Sequence, residues 1–299
     1  MIVGAGFAGL ISAHIFPREQ IIESAPEPLQ AHRALLRFRS DVVGKLTGVD
    51  FRKVRVRKGL FINGMFSEPN IHLANAYSQK CLGEIVGERS IWNLDPVDRF
   101  IAPETFYEQL IDAVGTRIKW GTKADYLGEI ASHNPIISTA PLPVVLREVV
   151  CPLAIEFNRA PITVMRYRLD KCDVHQTIYY PTSAHSLYRA SITGDLLLCE
   201  FAGEPTGDWQ QDVISSFCLL SVGQMEPIDV ARQSYGKIAP VDNGLRKALI
   251  HDLSVRYNIF SIGRFATWRN VLLDDIVNDA AVVKKLISAA GYERRIAAL

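Results

Sequence analysis

The stretch Met1-Ile-Val-Gly-Ala-Gly-Phe-Ala-Gly-Leu10, continuing through ISAHIF (11–16) and PREQIIES (17–24), decides the fold. Ile2 and Val3 read as the end of a buried strand, Gly4, Gly6 and Gly9 fit G-x-G-x-x-G, and Leu10–Phe16 read as the start of a helix. The first glycine makes the tight turn, the second lets a pyrophosphate approach the backbone, and the third lets the helix pack on its strand. The helix N-terminus then offers unpaired N–H groups and the positive end of its dipole to phosphate. A second strand, Gln20–Ile22, ends at Glu23, nineteen residues beyond Gly4, where a carboxylate can accept hydrogen bonds from an adenosine ribose and disfavours a 2′-phosphate. The competing reading is a glycine-rich turn beside an unrelated surface glutamate. Strand before and helix after favour a dinucleotide site, with Gly4, Ala5, Gly6, Phe7, Ala8, Gly9, Glu23 and Ser24 as candidate contacts.

Working outward, the 299 residues suffice for two joined domains. A dehydrogenase built for NAD would follow Glu23 with further short βα units. Here an excursion of strand-like and irregular pieces runs from Ser24 to about Phe100. The N-terminal βαβ unit is thus isolated and completed much later in the chain, an organisation that favours FAD. The fold class expected is α/β, a Rossmann-type nucleotide-binding domain with an inserted antiparallel-sheet substrate domain. Residues 1–40, 100–145 and 235–299 are assigned to the first, and 41–99 and 146–234 to the second.

Residues 103–115 read as a helix, with Pro103 in its first turn, Phe106, Leu110, Ile111 and Val114 on one face, and Gly115 as its stop. Arg117–Trp120 and Pro135–Pro141 read as strands. Ile162–Leu169, Gln176–Tyr180, Ser186–Ile192 and Leu196–Glu200 suggest the antiparallel sheet, followed by helices at Trp209–Ser221 and Asn243–Tyr257. In the last block, Ile259–Ile262 is a strand, Gly263-Arg264 a turn, and Asp274–Ala290 an amphipathic helix with Asp274 as its N-cap. Such a strand, Gly-Arg and capped helix form the second half of a cofactor site, the helix N-terminus facing the flavin pyrimidine carbonyl. A C-terminal core helix without a ligand is the alternative.

IVGAGFAGL with Glu23, ISTAPL (137–142) and IFSIGRFATWR (259–269) together resemble the FAD-binding amine oxidase, protoporphyrinogen oxidase and UDP-galactopyranose mutase superfamily. Near the C-terminus the pattern is most similar to the mutase branch, with Gly263, Arg264, Thr267, Trp268, Arg269 and Asp274 in the matching places. The resemblance implies a glutathione-reductase-like FAD domain and adds Arg39, Ala140, Gly263, Arg264, Asp274, Asp275 and Ile276 to the cofactor contacts. The family's Gly-Gly-Arg step after the second strand is missing, and Leu36–Ser40 stand in its place.

FAD would carry the redox chemistry, so few acid–base groups are needed from the protein. The resemblance implies an FAD-dependent oxidoreductase of the amine-oxidase type, taking hydride from a carbon next to nitrogen to flavin N5, with imine hydrolysis. Tyr180, Tyr188 and Trp268 are candidates for an aromatic substrate pocket, or for core packing, and Arg189 for a clamp on carboxylate or phosphate. Three alternatives stand beside it. One is a non-redox, mutase-like flavin enzyme. Another is a phage-type FAD enzyme trimming an amino-acid adduct on a modified thymine in DNA. The last is a nucleic-acid-binding module with a structural FAD.

Composition sets the outer limits. Thirty-three basic and 32 acidic residues give a net charge of +1, which excludes a globally basic nucleic-acid binder. Yet residues 33–58 hold nine basic and two acidic side chains, a local net charge of +7. In Phe51–Lys58, Val54 and Val56 alternate with Lys53, Arg55 and Arg57, a strand with one basic face. It is either a solvated face or a grip on an anionic partner, a nucleotide-linked small molecule or nucleic acid. Seven scattered histidines and five scattered cysteines suggest no metal, no Ser-His-Asp triad and no disulfide framework. With no leader and no apolar run of about 18 residues, a cytoplasmic protein without a membrane partner is expected.

Overall fold

Two different patterns dictate two different sheets: short, mainly apolar strands that must be covered on both faces, and longer strands that mix buried with exposed positions. The computed structural model describes residues 1–28, 36–86, 91–149 and 155–297, so His32, Arg33 and Cys151 lie outside the described residues. The chain begins β1 (Ile2–Val3), α1 (Phe7–Ile15), β2 (Ile21–Ile22), β3 (Arg37–Phe38), α2 (Val42–Thr47), β4 (Arg52–Ile62), β5 (Met65–Phe66) and α3 (Ile71–Leu82). It continues with β6 (Val97–Ile101), α4 (Phe106–Val114), β7 (Ile118–Lys119), α5 (Tyr126–Ala131), β8 (Ile136–Ser138) and α6 (Leu142–Val149). Then come β9 (Arg159–Arg168), β10 (Val174–Tyr179), β11 (Leu187–Gly194), β12 (Leu196–Ala202), α7 (Trp209–Phe217) and β13 (Glu226–Ile238). The last elements are α8 (Asn243–Tyr257), β14 (Ile259–Ser261) and α9 (Leu273–Ala297).

Two compact units result. The first comprises Met1–Arg52, Phe100–Phe157 and Pro240–Leu299, and the second Lys53–Arg99 and Asn158–Ala239. Residues 41–52 and 146–157 therefore fall in the first unit and 235–239 in the second, against the division read from the sequence.

In the first unit a parallel sheet runs β14-β8-β1-β2-β7. Its strands are two or three residues long and nearly all buried. Leu10, Ile11 and Ala13 of α1 join Phe106, Leu110 and Val114 of α4 and Ile276, Ala280 and Val283 of α9 in one core. Because the strands are parallel, Gly4, Thr139 and Ile262 all follow carboxyl ends on the same edge of the sheet. That edge is where open α/β sheets bind ligands.

The second unit is built on the order β13-β9-β12-β11-β10-β4-β6. β9 pairs antiparallel with β12 and β13, and β11 with β10 and β12, whereas Arg57–Leu60 of β4 run parallel to Gln176–Tyr179 of β10, so the sheet is mixed rather than purely antiparallel. Phe61, Ile178, Tyr180, Leu187, Leu197, Phe201, Trp209 and Val213 form its own core.

Several boundaries differ from the sequence reading, each for a local reason. The excursion after Ser24 holds two helices, α2 and α3, besides its strands. The helix expected from 103 starts at Phe106, because residues 103–105 make a turn closed by Phe106 N–H to Pro103 O. The helix expected to reach 221 stops at Phe217, where Cys218 turns left-handed at φ +54°. The last helix begins at Leu273, so Asp274 lies in its first turn and is not its N-cap. The long edge strand β13 was not anticipated at all.

The third glycine of the fingerprint fixes how closely α1 can approach β1. A Cβ on Gly9 would lie 1.9 Å from the Gly4 carbonyl oxygen, a backbone atom that cannot yield. Gly9→Ala is therefore expected to destabilise the protein by about 1–3 kcal/mol. A urea unfolding curve checks this, and an unchanged midpoint would contradict the packing described.

Candidate functional site

Everything at the carboxyl edge of the first unit's sheet is arranged around the turn after Val3. Gly4 takes φ +99°, and its N–H donates to Ile22 O at 2.9 Å, extending the pairing of β1 with β2. Thr139, just past β8, donates its Oγ1 to Val3 O at 2.7 Å. A Cβ on Gly4 would stand 2.4 Å from that same Oγ1, so both the dihedral and the space require glycine. Gly6 is the N-cap of α1 in ordinary extended backbone, and no side chain caps the helix. The α1 N-terminus thus keeps the positive dipole end and unsatisfied donors of a phosphate cradle.

Glu23 follows β2 and turns back to this loop. Its Oε2 accepts from Ala5 N–H at 2.8 Å, while Oε1 accepts from Ala25 N–H at 2.9 Å and from Ser24 Oγ at 3.2 Å. From the other side, buried Tyr107 of α4 donates its hydroxyl to Ala5 O at 3.0 Å. Burial, with Glu23 and Glu108 adding to it, pushes that phenol up to about 12, so it stays a neutral donor. The carboxylate is held half-exposed beside the glycine turn, within reach of a ribose lying over it.

The second half of the cradle is Gly263, which follows β14 with φ +96°. A Cβ there would lie 2.9 Å from Ala8 Cβ and 3.4 Å from Ile276 Cδ1. Gly263 therefore sits where the first turns of α1 and α9 meet, and two helix N-termini open on one spot. The Gly263 carbonyl is held by Thr267, which donates both its N–H (2.9 Å) and its Oγ1 (2.7 Å) to Gly263 O. Arg264, next along, is half-buried. Ala140, the candidate after Thr139, is half-buried too.

Asp274 does different work from the N-cap role read in the sequence. Its Oδ1 accepts from Ser40 N–H at 2.9 Å and from Ser40 Oγ at 3.1 Å, and its Oδ2 accepts from Arg39 N–H at 3.1 Å. A buried carboxylate of α9 thereby pins the segment after β3. Asp275 Oδ2 accepts from Leu272 N–H at 2.8 Å, capping α9 from within. Its Oδ1 pairs with the Arg39 guanidinium, so these two candidate contacts face each other. Tyr107 is the neighbour that sequence reasoning missed, while Thr139 and Ser40 lay in the stretches 137–142 and 36–40 without a contact assigned to them.

The four aromatic and basic catalytic candidates are divided between the two units. Trp268 belongs to the first unit, buried at φ +45° and edge-on to Phe157. Tyr180, Tyr188 and Arg189 belong to the second. Tyr180 is wholly buried against Phe61 and His185, with its hydroxyl 2.7 Å from Ser216 Oγ. Tyr188 is wholly buried too and donates to Glu200 Oε1 at 3.0 Å. These two rings are core groups rather than walls of an open pocket. Arg189 is no free clamp, because its fork holds both oxygens of Glu200.

A β-bulge between Leu187 and Arg189 lets the consecutive Tyr188 and Arg189 both address Glu200 on the neighbouring strand. Lys237 of β13 stands 4.6 Å over the Tyr188 ring, and Tyr77 of α3 packs edge-on to it. Burial alone would raise the Glu200 carboxyl, but the charge and hydrogen bonds of Arg189, then Lys237 and Tyr188, hold it at about 2. Burial drives the Tyr188 phenol far up, so it is no base at neutral pH. Among the described residues no group of His, Cys, Asp and Glu could hold a metal, and no helix is long and apolar enough to cross a membrane.

No family model matches the chain, and no curated protein matches it. Among solved structures it is similar to a reduced UDP-galactopyranose mutase, with TM-score 0.65 and 13% identity over 96% of this chain and 93% of that one. A wild-type putrescine oxidase bound to putrescine gives TM-score 0.53 and 9% identity over 96% of this chain and 98% of that one. A geranylgeranyl bacteriochlorophyll reductase-like protein from Thermoplasma acidophilum gives 0.51 and 13%, over 97% and 79%. The fold shared with these proteins is the α/β Rossmann type with an inserted sheet.

The ion pair in the second unit sets a pH dependence. Because Glu200 sits below its ordinary 4.5 at about 2, its stabilisation is fully present above 4.5 and is lost as pH falls towards 2. Wild type should lose on the order of 3 kcal/mol from this group across that window, and Glu200→Gln should lack that loss. Urea titrations of both proteins at pH 6 and pH 2.5 test it, and parallel pH profiles would refute the assignment.

Proposed function

We propose that the chain is an FAD-dependent oxidoreductase of the amine-oxidase type. The observation that carries the reading is the meeting of the Gly4 turn, the Glu23 carboxylate and the Gly263 turn on one carboxyl edge of a parallel sheet. The cradle fits the group: glycines stand where a Cβ would fill the space, an uncapped helix faces the phosphates, and a carboxylate waits for a ribose. Gly6 and the uncapped first turn of α1 would take the pyrophosphate on backbone N–H groups, and Glu23 the adenosine hydroxyls. Gly263 and the first turn of α9 would face the flavin end, where the helix dipole favours developing negative charge.

FAD, when bound, supplies acceptance of a hydride from a carbon next to nitrogen. The protein's part is binding and orientation. Asp274 fixes the segment carrying Arg39 and Ser40, and Tyr107 and Thr139 fix the two carbonyls of the first turn. The imine product would hydrolyse in water without a dedicated base.

A second reading has its own support, since the mutase similarity covers nearly the whole of both chains. In that reading the same cradle serves a non-redox enzyme acting on a sugar nucleotide.

Anaerobic mixing with a panel of primary and secondary amines separates the two. The amine-oxidase reading predicts bleaching of flavin absorbance by at least one amine. Absence of bleaching with every amine, together with turnover of a sugar nucleotide only by dithionite-reduced protein, would transfer the assignment to the second reading.

A further inference from the structure

The basic strand found in the sequence leads to a cavity within the second unit. Along β4, Lys53 and Arg55 share one carboxylate, Asp98. Arg57, next on the same exposed face, instead lines a cavity of about 620 Å³ together with its neighbour Lys58. That volume suits a single small-molecule ligand.

Two aromatic rings line the same cavity. Phe66 is brought there by a two-residue hairpin, because Asn63 and Gly64 both have positive φ (50° and 79°), as a type I′ turn requires. The returning β5 lays the Phe66 ring over Gly59, where a Cβ would be 2.8 Å from Cε1, so the glycine makes the seat for the ring. Trp92, from the segment before β6, is the second ring. These large rings are 54% and 61% exposed although each could have been buried. Exposed aromatics beside cations form stacking surfaces for planar, negatively charged ligands.

Charge in the cavity is divided in a way that suits one ligand class. Lys58 donates to Asn93 O at 3.3 Å; burial, followed by the nearby Arg99, lowers its pKa, and Asp95 works the other way. Glu68 and Asp95 line the cavity as acceptors. A flat ring with N–H donors and a phosphate satisfies all of these groups at once. A purely aliphatic or cationic ligand offers no acceptor to Arg57 and Lys58.

We propose that the cavity formed by Arg57, Lys58, Phe66 and Trp92 is a nucleotide-binding site, taking a base between the two rings and its phosphate on Arg57 and Lys58. The nucleotide is either free or part of a single strand. The inference stands independently of the flavin reading, since every group in it lies in the second unit.

The test titrates the purified full-length protein, with whatever cofactor it carries, against 5′-fluorescein-labelled dT10 by anisotropy and against dTMP by calorimetry. Binding of dTMP assigns the free nucleotide, and binding of dT10 alone assigns the strand. Trp92→Ala should weaken binding about tenfold, the loss expected for one stacked base. Arg57→Gln should reduce the slope of log K against log salt for dT10 by about 0.7. Phe66→Leu removes the second ring without changing charge and should also weaken binding. Arg57 and Trp92 are exposed, so melting temperature and flavin content should not move in their two variants. Failure of both probes to bind at millimolar concentration, or binding that all three variants leave intact, would overturn the proposal.

Discussion

The hydrogen bond from Ala5 N–H to the Glu23 carboxylate is the interaction on which the first unit's design turns. It ties the residue after the first glycine to the end of the second strand. The loop is thereby held open at the sheet's carboxyl edge, while Tyr107 and Thr139 secure its two carbonyls. Gly4, Gly9 and Gly263 follow from this constraint, because each occupies a point where a side chain would strike Thr139, the Gly4 carbonyl or Ala8. A surface site built from backbone needs such close packing. Only small residues let one turn, two helix N-termini and three strand ends converge.

The second unit solves a different problem, that of a charged group in a sheet interior. Glu200 is buried, and it is matched by Arg189 in a bidentate pair, by the Tyr188 hydroxyl and by Lys237. The bulge in β11 brings two successive side chains to the one carboxylate. Breaking such a pair from one side leaves an uncompensated charge, typically at a cost of about 3–5 kcal/mol. The cluster occupies two residues that looked catalytic in the sequence, Tyr188 and Arg189, with the Glu200 carboxylate.

The legible parts of the sequence were those whose signals are local. Gly4, Gly6, Gly9 and Glu23 lie within one βαβ unit, and α8 was bounded correctly because Asp242 caps its start and Asn258 turns left-handed at its end. Helix α3 carried similar punctuation, an Asn70 cap and Gly83 at φ +76°, but only Tyr77, Ser78 and Cys81 between them are buried, so no wide apolar face marked it and it passed as irregular chain. Strand β13 carries Pro227 and a largely exposed run, and it exists because β9 pairs with it. Thr139, Tyr107 and Ser40 were illegible for the same reason. Each acts on a partner far away in sequence, and nothing in its own neighbourhood announces the contact.

The central claim is that the glycine turn, Glu23 and Gly263 form a cradle for FAD. An absorbance spectrum of the purified protein, followed by heat release and mass measurement of the bound cofactor, tests it most directly. The account predicts flavin absorbance and the mass of FAD, taken up on incubation if it is lost in purification. A colourless protein that takes up no FAD would contradict it.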